Sequence, residues 1–310
     1  MSKVVVAGGS GFVGGHLIAE LNAAGHEVVL LSRSGKSEPG ARTVIWDAKT
    51  VGAWASELDG ALAVYNLSGT PVDKKWTPEV QKQIRDSRVF STRAIGEAIA
   101  VSKSRPQAWI NASAIGFYGD RGNESLSESS KIGQGFLAET CLDWEKAMGD
   151  FDLPNVSQTA IRIGIVLGKE GGAFPILNNL AKAFLGGAVG SGKQYMSWIH
   201  VRDLARMMVW AIDQGIDGPV NGVAPNPVTN AEFMAALREL HGRPPIPPAP
   251  SPILKLATGL MGKEAEVLLS GAKVFPTVAK SRGFEFEFPD LREALGQLAD
   301  VVPTAWANAK

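Results

Sequence analysis

The chain of 310 residues holds one cysteine, Cys141, and four scattered histidines, His16, His26, His200 and His241. A single cysteine excludes an intrachain disulfide framework and any cysteine-built cluster, and it suits the reducing cytoplasm. The histidines lack metal-ligand spacing, so no metal site is expected. Charge of one sign is missing too: 31 Lys plus Arg balance 31 Asp plus Glu. Without a basic excess, neither nucleic acid nor an anionic membrane is an expected partner. The apolar run after Lys3 stops at Gly8. That is too short for a secretory leader, and no stretch approaches the roughly 20 apolar residues of a membrane span. Tyrosine is scarce, with Tyr65, Tyr118 and Tyr195 the full set.

What remains is an ordinary globular composition, 45% hydrophobic and 20% charged, with 35 glycines. The length fits one large domain or two intimate ones. Lys3–Ala7 reads as a buried strand, β-branched and stopped by glycine. Leu17, Ile18 and Leu21 recur at helical spacing over 14–24, and Gly25 ends that helix. Further strands are predicted at 28–31, 43–46, 61–67, 109–113 and 157–163, with helices over 78–101, 134–149 and 201–213. This alternation predicts an α/β fold: a doubly wound parallel sheet of Rossmann type with helices on both faces. Six prolines in 243–252 make that stretch an extended connector. Helical patterns at 253–270 and 290–299 flank an alternating Phe284-Glu285-Phe286-Glu287-Phe288, read as a strand whose aromatics enter the core.

The glycines cluster informatively. Gly8-Gly9-Ser10-Gly11-Phe12-Val13-Gly14 joins the first strand to the first helix with the spacing G-x-x-G-x-x-G. A tight turn needs φ > 0, a diphosphate needs close backbone approach, and a helix N-terminus offers unpaired N–H groups to an anion. Strand before, helix after and a second strand beyond form the context of a dinucleotide site. After the second strand comes Ser32-Arg33-Ser34, with no carboxylate for a ribose 2′-hydroxyl. Arg33 can fork a 2′-phosphate while the two serines donate, so NADP(H) is preferred, with NAD(H) the alternative. The other reading of Arg33 is a solvated loop cation. Asp47 could accept from an adenine amine or simply cap its own turn.

Several segments resemble the extended short-chain dehydrogenase/reductase superfamily, and within it the atypical NAD-dependent epimerase/dehydratase-like subfamily. They are Asn66-Leu67-Ser68-Gly69, Ile84-Arg85-Asp86-Ser87-Arg88, Ser113-Ala114-Ile115-Gly116-Phe117-Tyr118-Gly119, Phe136-Leu137-Ala138-Glu139, Arg162-Ile163-Gly164-Ile165-Val166-Leu167-Gly168, and the run from Gly192 to Asp203. The resemblance covers almost the whole chain. It implies a dinucleotide-binding domain from 1–168 plus about 199–224, a substrate-binding region from about 169–198 and 225–300, and a tail at 301–310. It implies a cofactor contacting Leu67, Ser68, Gly69, Ala112, Gly164 and Val166, with Arg88 near the adenosine phosphates. The partner would be a small polar molecule such as a sugar nucleotide. The protein would be a monomer or a homodimer, paired through the two long helices.

Hydride-transfer enzymes of this superfamily resemble one another in a Tyr-x-x-x-Lys pair, a phenol tuned by an ammonium, with a Ser or Thr holding the substrate carbonyl. The chain departs from this: Gly69, Gly122 and Ile199 stand four residues past the three tyrosines. Candidate replacements are Glu139, in an apolar helical stretch where desolvation would suit a general base, Tyr118 as a donor, and Ser113 to position the substrate oxygen. Thr70, Ile115, Arg162, Tyr195, Trp198 and His200 are candidate substrate contacts. Arg162 lies in an otherwise apolar strand and requires either an ion-pair partner or an anion. Two functions follow. One is an NADP-dependent oxidoreductase or epimerase-like enzyme. The other is a dinucleotide sensor that kept the binding site and lost the catalytic pair.

Overall fold

The computed structural model describes residues 1–249, 264 and 270–301. The first half alternates strands and helices: β1 (Lys3–Ala7), α1 (Phe12–Ala23), β2 (Glu27–Ser32), β3 (Ala41–Ile45), β4 (Ala63–Asn66), α2 (Pro78–Val101) and β5 (Ala108–Ala114). Then follow β6 (Ser125–Leu126), α3 (Phe136–Gly149), β7 (Ser157–Ile163), β8 (Ile165–Leu167) and α4 (Phe174–Lys182). The remainder holds β9 (Tyr195–Met196), β10 (Trp198–His200), α5 (Val201–Asp213), β11 (Gly218–Gly222), β12 (Val228–Thr229), α6 (Asn230–Leu240), β13 (Lys273–Val274) and two further helices, Thr277–Ser281 and Leu291–Ala299.

Seven strands form one parallel sheet in the order β11-β7-β5-β4-β1-β2-β3. The chain winds outward in both directions from β1, so the strand order reverses between β1 and β4. Crevices at such reversals lie beyond the carboxyl ends of the strands and are where open α/β sheets bind ligands. Both sheet faces are buried, which explains the unbroken apolar runs of β1 and β2. Val4, Val6 and Leu30 pack with α1 and α5 on one face. Val5, Ala7, Val29 and Leu31 pack with α2 on the other.

Ala94, Ile95, Ala98 and Ile99 of α2 are fully buried against Trp109 and Leu153. These small and branched residues therefore face the sheet. The pattern Phe284–Phe288 is not a strand. The N–H groups of Glu287 and Phe288 donate to the buried Asp203 carboxylate at 2.8 and 2.9 Å, in place of a strand partner. Its aromatics do enter the core, Phe284 under α5 and Phe288 beside α6. The predicted helix 253–270 lies outside the described residues apart from 264 and 270, and the tail lies outside them from 302 onward. Among the described residues no helix is long and apolar enough to cross a membrane, and no group of three or more His, Cys, Asp or Glu could hold a metal.

Candidate functional site

The loop from Gly8 to Gly14 is shaped by the absence of side chains. Gly8 adopts φ +74°, and a Cβ there would stand 2.8 Å from the Leu67 carbonyl carbon and the Ser68 nitrogen. A Cβ on Gly14 would stand 2.4 Å from Gly9 backbone. Glycine at these positions lets the loop press between β4 and the start of α1. Gly11 is the N-cap of α1 and brings no side chain to its first-turn N–H groups, so these remain available to an anion. The Phe12 ring lies on Gly168, Gly171 and Gly172, each of which would place a Cβ within 3.1 Å of it. Ser10 is half-buried and its carbonyl accepts from the Lys36 ammonium at 2.9 Å. Val13 packs beneath, against the core.

At the end of β2 the Ser32 hydroxyl is buried with no hydrogen-bond partner among the described residues. Arg33 and Ser34 are exposed beside it. Arg33 lines two adjoining hollows, of about 500 and 290 Å³. The first runs past Ile45, Trp46 and Trp54, and the second past Ser68, Gly69 and Thr70. Asp47 borders both hollows, yet its carboxylate accepts from Lys49 N, Thr50 N and Thr50 Oγ1. The Thr50 bonds hold that carboxyl below its usual range, and most of its accepting capacity serves its own turn.

Beyond β4, the buried Asn66 amide donates to Asn111, Thr92 and Ser91 and accepts from Ser68 N at 3.1 Å. This network, joined by Trp144 through Thr92, fixes the Leu67–Thr70 turn. Under Gly69 lies Arg88, half-buried, its Nη1 donating to the carbonyls of Thr70 and Ile84 at 2.9 Å. Burial lowers its pKa, and it has no carboxylate partner among the described residues. Sequence reasoning passed over Lys36 and Asn66 as site residues. The Asx-type reach of Asn66 to Ser68 was legible as a pattern; the reach of Lys36 back across 26 residues to Ser10 was not.

A cavity of about 660 Å³ opens beside β5 and β7. Ile115, Gly164 and Tyr195 line it, as do Gly116, Leu137 and Ile163. Ala112 is buried behind it in β5, and Val166 is half-buried in β8. The face of α3 turned to this wall is set by Leu137 and Cys141: a Cβ on Gly116 would meet Leu137 Cβ at 3.3 Å and Cys141 Sγ at 3.8 Å. Those two stand four residues apart, on one face of α3. Burial pushes the Cys141 thiol up to about 11. Glu139, two residues along, turns outward. Its side chain is 67% exposed and faces Arg85 at 3.7 Å, so the desolvation expected of a general base is absent.

Ser113 and Tyr118 do not open onto the cavity. Ser113 Oγ donates to Glu145 at 2.6 Å. Tyr118 is fully buried; its hydroxyl donates to Asn221 at 2.7 Å and accepts from Arg162 at 2.9 Å. Burial raises the Tyr118 pKa, with Arg162 opposing. Arg162 found its partner inside the protein: Nε and Nη2 fork Glu145 at 2.8 Å each, and the guanidinium lies 3.6 Å from the Phe117 ring centroid. Burial works against its charge, but Glu145 more than offsets this and raises its pKa. Trp198 is core, its Nε1 donating to the Asn226 carbonyl. His200 caps α5, accepting from Arg202 N at Nδ1, while Nε2 meets Gln297 at 3.0 Å. Burial drives its pKa down to about 4, so it is a neutral structural residue. Thr70 lies at the mouth of the smaller hollow, its N–H donating to Ser87.

The parallel sheet with its glycine turn between the first strand and the first helix is that of a short-chain dehydrogenase/reductase fold. The sequence profile of the NAD dependent epimerase/dehydratase family matches residues 4–223, and a domain of unknown function (DUF1731) matches 249–298. The chain belongs to the NAD dependent epimerase/dehydratase family. It is 37% identical to the chloroplastic epimerase family protein SDR39U1 homolog of Arabidopsis thaliana, over 94% of this chain and 85% of that protein. Human epimerase family protein SDR39U1 (isoform 2), solved with NADPH, superposes with a TM-score of 0.85 at 34% identity, covering 97% of this chain and 100% of that one. A nucleoside-diphosphate sugar epimerase from Corynebacterium glutamicum gives 0.78 at 33% identity, covering 99% of this chain and 60% of that one.

Proposed function

We propose that this chain binds NADP(H) across the carboxyl ends of β1, β2 and β4 and serves as an oxidoreductase of the extended short-chain dehydrogenase type on a small molecule. The observation that carries this is the cradle at Gly8–Gly14 beside a β2 end that offers Ser32, Arg33 and Ser34 and no carboxylate. The residues fit the cofactor: the cradle has no room for a Cβ, and the orphaned Ser32 hydroxyl awaits an acceptor. First-turn N–H groups of α1 would hold the diphosphate. Arg33 would fork the 2′-phosphate, and Arg88 would lend positive potential beneath Gly69. When bound, the nicotinamide supplies or accepts a hydride. Ser113 and Tyr118 then act by holding the wall, since both are bonded into the Glu145–Arg162 pair.

A second reading, a dinucleotide sensor, is favoured by the absence of a lysine four residues past any of the three tyrosines. The first reading is favoured by the cavity, which a sensor does not require. Titration with NADPH and NADH tests the cofactor assignment. Loss of charged hydrogen bonds costs about 1.5–3 kcal/mol, so Arg33→Ala should weaken NADPH at least about tenfold and leave NADH unchanged. Equal affinities before and after the change would remove this role of Arg33. Turnover across carbonyl compounds separates enzyme from sensor.

A further inference from the structure

We infer that the 660 Å³ cavity takes an uncharged, largely apolar carbonyl compound, and that the Tyr195 hydroxyl donates a hydrogen bond to its oxygen. This rests on the preceding assignment of the cofactor crevice and departs from the sugar-nucleotide substrate suggested by the sequence.

The walls carry the argument. Ile115, Ile163, Ile165, Leu137 and Ala272 supply apolar surface. Between them the wall is glycine backbone. A Cβ would stand 2.0 Å from the Tyr118 carbonyl if placed on Gly133, 2.4 Å from the Ser197 carbonyl on Gly164, and 2.2 Å from the Tyr195 carbonyl on Gly271. Those Cβ directions run into neighbouring backbone, so glycine there lets the walls pack closely, and the apolar side chains set the character of the space. A nucleoside diphosphate needs free cations to fork its oxygens. Arg121 is the one guanidinium among the described lining residues, and it is already forked onto Glu124 at 2.9 and 2.6 Å. Asp120 stands next to it, and a second negative charge there opposes a phosphate. The Lys273 ammonium sits over the Tyr195 ring, 5.1 Å from its centroid.

Of the three tyrosines, Tyr65 donates to the Met208 carbonyl and Tyr118 to Asn221. Tyr195 lines the cavity half-buried, and no described residue hydrogen-bonds its hydroxyl. A donor so placed, in an apolar slot, orients a neutral acceptor.

The test is a calorimetric titration of the full chain with 9,10-phenanthrenequinone, run both with saturating NADPH and without it, and a parallel titration with UDP-glucose. Saturable quinone binding is expected, weakened about fivefold in Tyr195→Phe, the value of one neutral hydrogen bond. Leu137→Trp and Ala272→Phe, which fill the slot independently, should each abolish it, so a folding failure in one leaves the other. Circular dichroism melting identifies such a failure. UDP-glucose should give no saturable heat at millimolar concentration. Saturable UDP-glucose binding that Arg121→Ala weakens would overturn the inference, as would a quinone that does not bind or that ignores both filling variants. Failure of NADPH to bind would instead sink the cofactor assignment, and the quinone result on the unloaded chain would still stand.

Discussion

Two polar regions flank the same crevice and are built on opposite plans. The Gly8–Gly14 turn and the β2 end leave groups without protein partners: the first-turn N–H groups of α1, the Ser32 hydroxyl, the exposed Arg33 guanidinium. Across the crevice, Ser113, Tyr118, Glu145, Arg162 and Asn221 are buried or nearly so and bond one another closely. Buried polar groups are costly unless paired. A region that pairs its own groups is therefore structural, and one that leaves them open is arranged for a ligand. The difference is why we propose ligand binding at the turn and support from the network, although the residue types in the network look the more catalytic.

The sharpest way to break this comparison is to remove Glu145. Arg162 would be left as a charge with 5% of its side chain exposed. Breaking one partner from a buried pair costs about 3–5 kcal/mol. Urea unfolding of Glu145→Ala should show a loss of that size, and Arg162→Met in the same chain should recover much of it. A loss below about 1 kcal/mol would mean that water or another group already serves Arg162, and the network would no longer count as closed.

His200 extends the same logic to the junction with the C-terminal helix. Its ordinary pKa of 6.5 falls to about 4 in the fold because burial disfavours the charged ring. Between those values the unfolded chain binds more protons than the folded one, so stability is full above about 6.5 and is lost as pH falls toward 4. The effect is at most on the order of 3 kcal/mol. His200→Asn keeps an acceptor for Arg202 N and should flatten that acid limb. Denaturation midpoints at neutral and acid pH check it; an unchanged slope would assign acid sensitivity elsewhere.

Gly8→Ala probes the open region. A left-handed φ costs an ordinary residue about 1–2 kcal/mol, and the Cβ would press on Leu67 and Ser68 besides. NADPH affinity should fall more than stability, because the turn must keep its shape to bind. Equal losses would mean that the turn is a structural bend.

The open region was legible in the sequence because its information is local. Glycine spacing, the strand before it and the missing carboxylate after β2 all fall within consecutive residues. The parallel sheet was legible for the same reason, through β-branched runs at regular distance. The closed region was not. Arg162 announced itself as a charge in an apolar strand, but its partner Glu145 lies 17 residues away on α3, with nothing in the pattern to choose it over Glu139 or Asp143. The strand misread at 284–288 failed similarly: alternation marked its aromatics correctly, while the Asp203 carboxylate that takes its N–H groups is 84 and 85 residues distant. Side-chain direction on α3 was the third gap, since a shift of two residues along a helix turns about 200° around it.

That last point yields the smallest expected effect and the cleanest contrast on a single helix. Glu139 and Leu137 are near neighbours in sequence, yet Leu137 lines the cavity and Glu139 faces solvent beside Arg85, whose Nε already meets Asp143 at 3.0 Å. An exposed pair of this kind contributes below about 1 kcal/mol and is screened by salt. Glu139→Gln should therefore shift the unfolding midpoint within error and leave NADPH affinity and its pH dependence where they were. Leu137→Gln, two residues earlier, should alter cavity binding while NADPH still binds. If Glu139→Gln instead changed the pH dependence of turnover on any carbonyl substrate, α3 would have to present its other face to the crevice in the working protein, and the place of Leu137 on the cavity wall would fall with it.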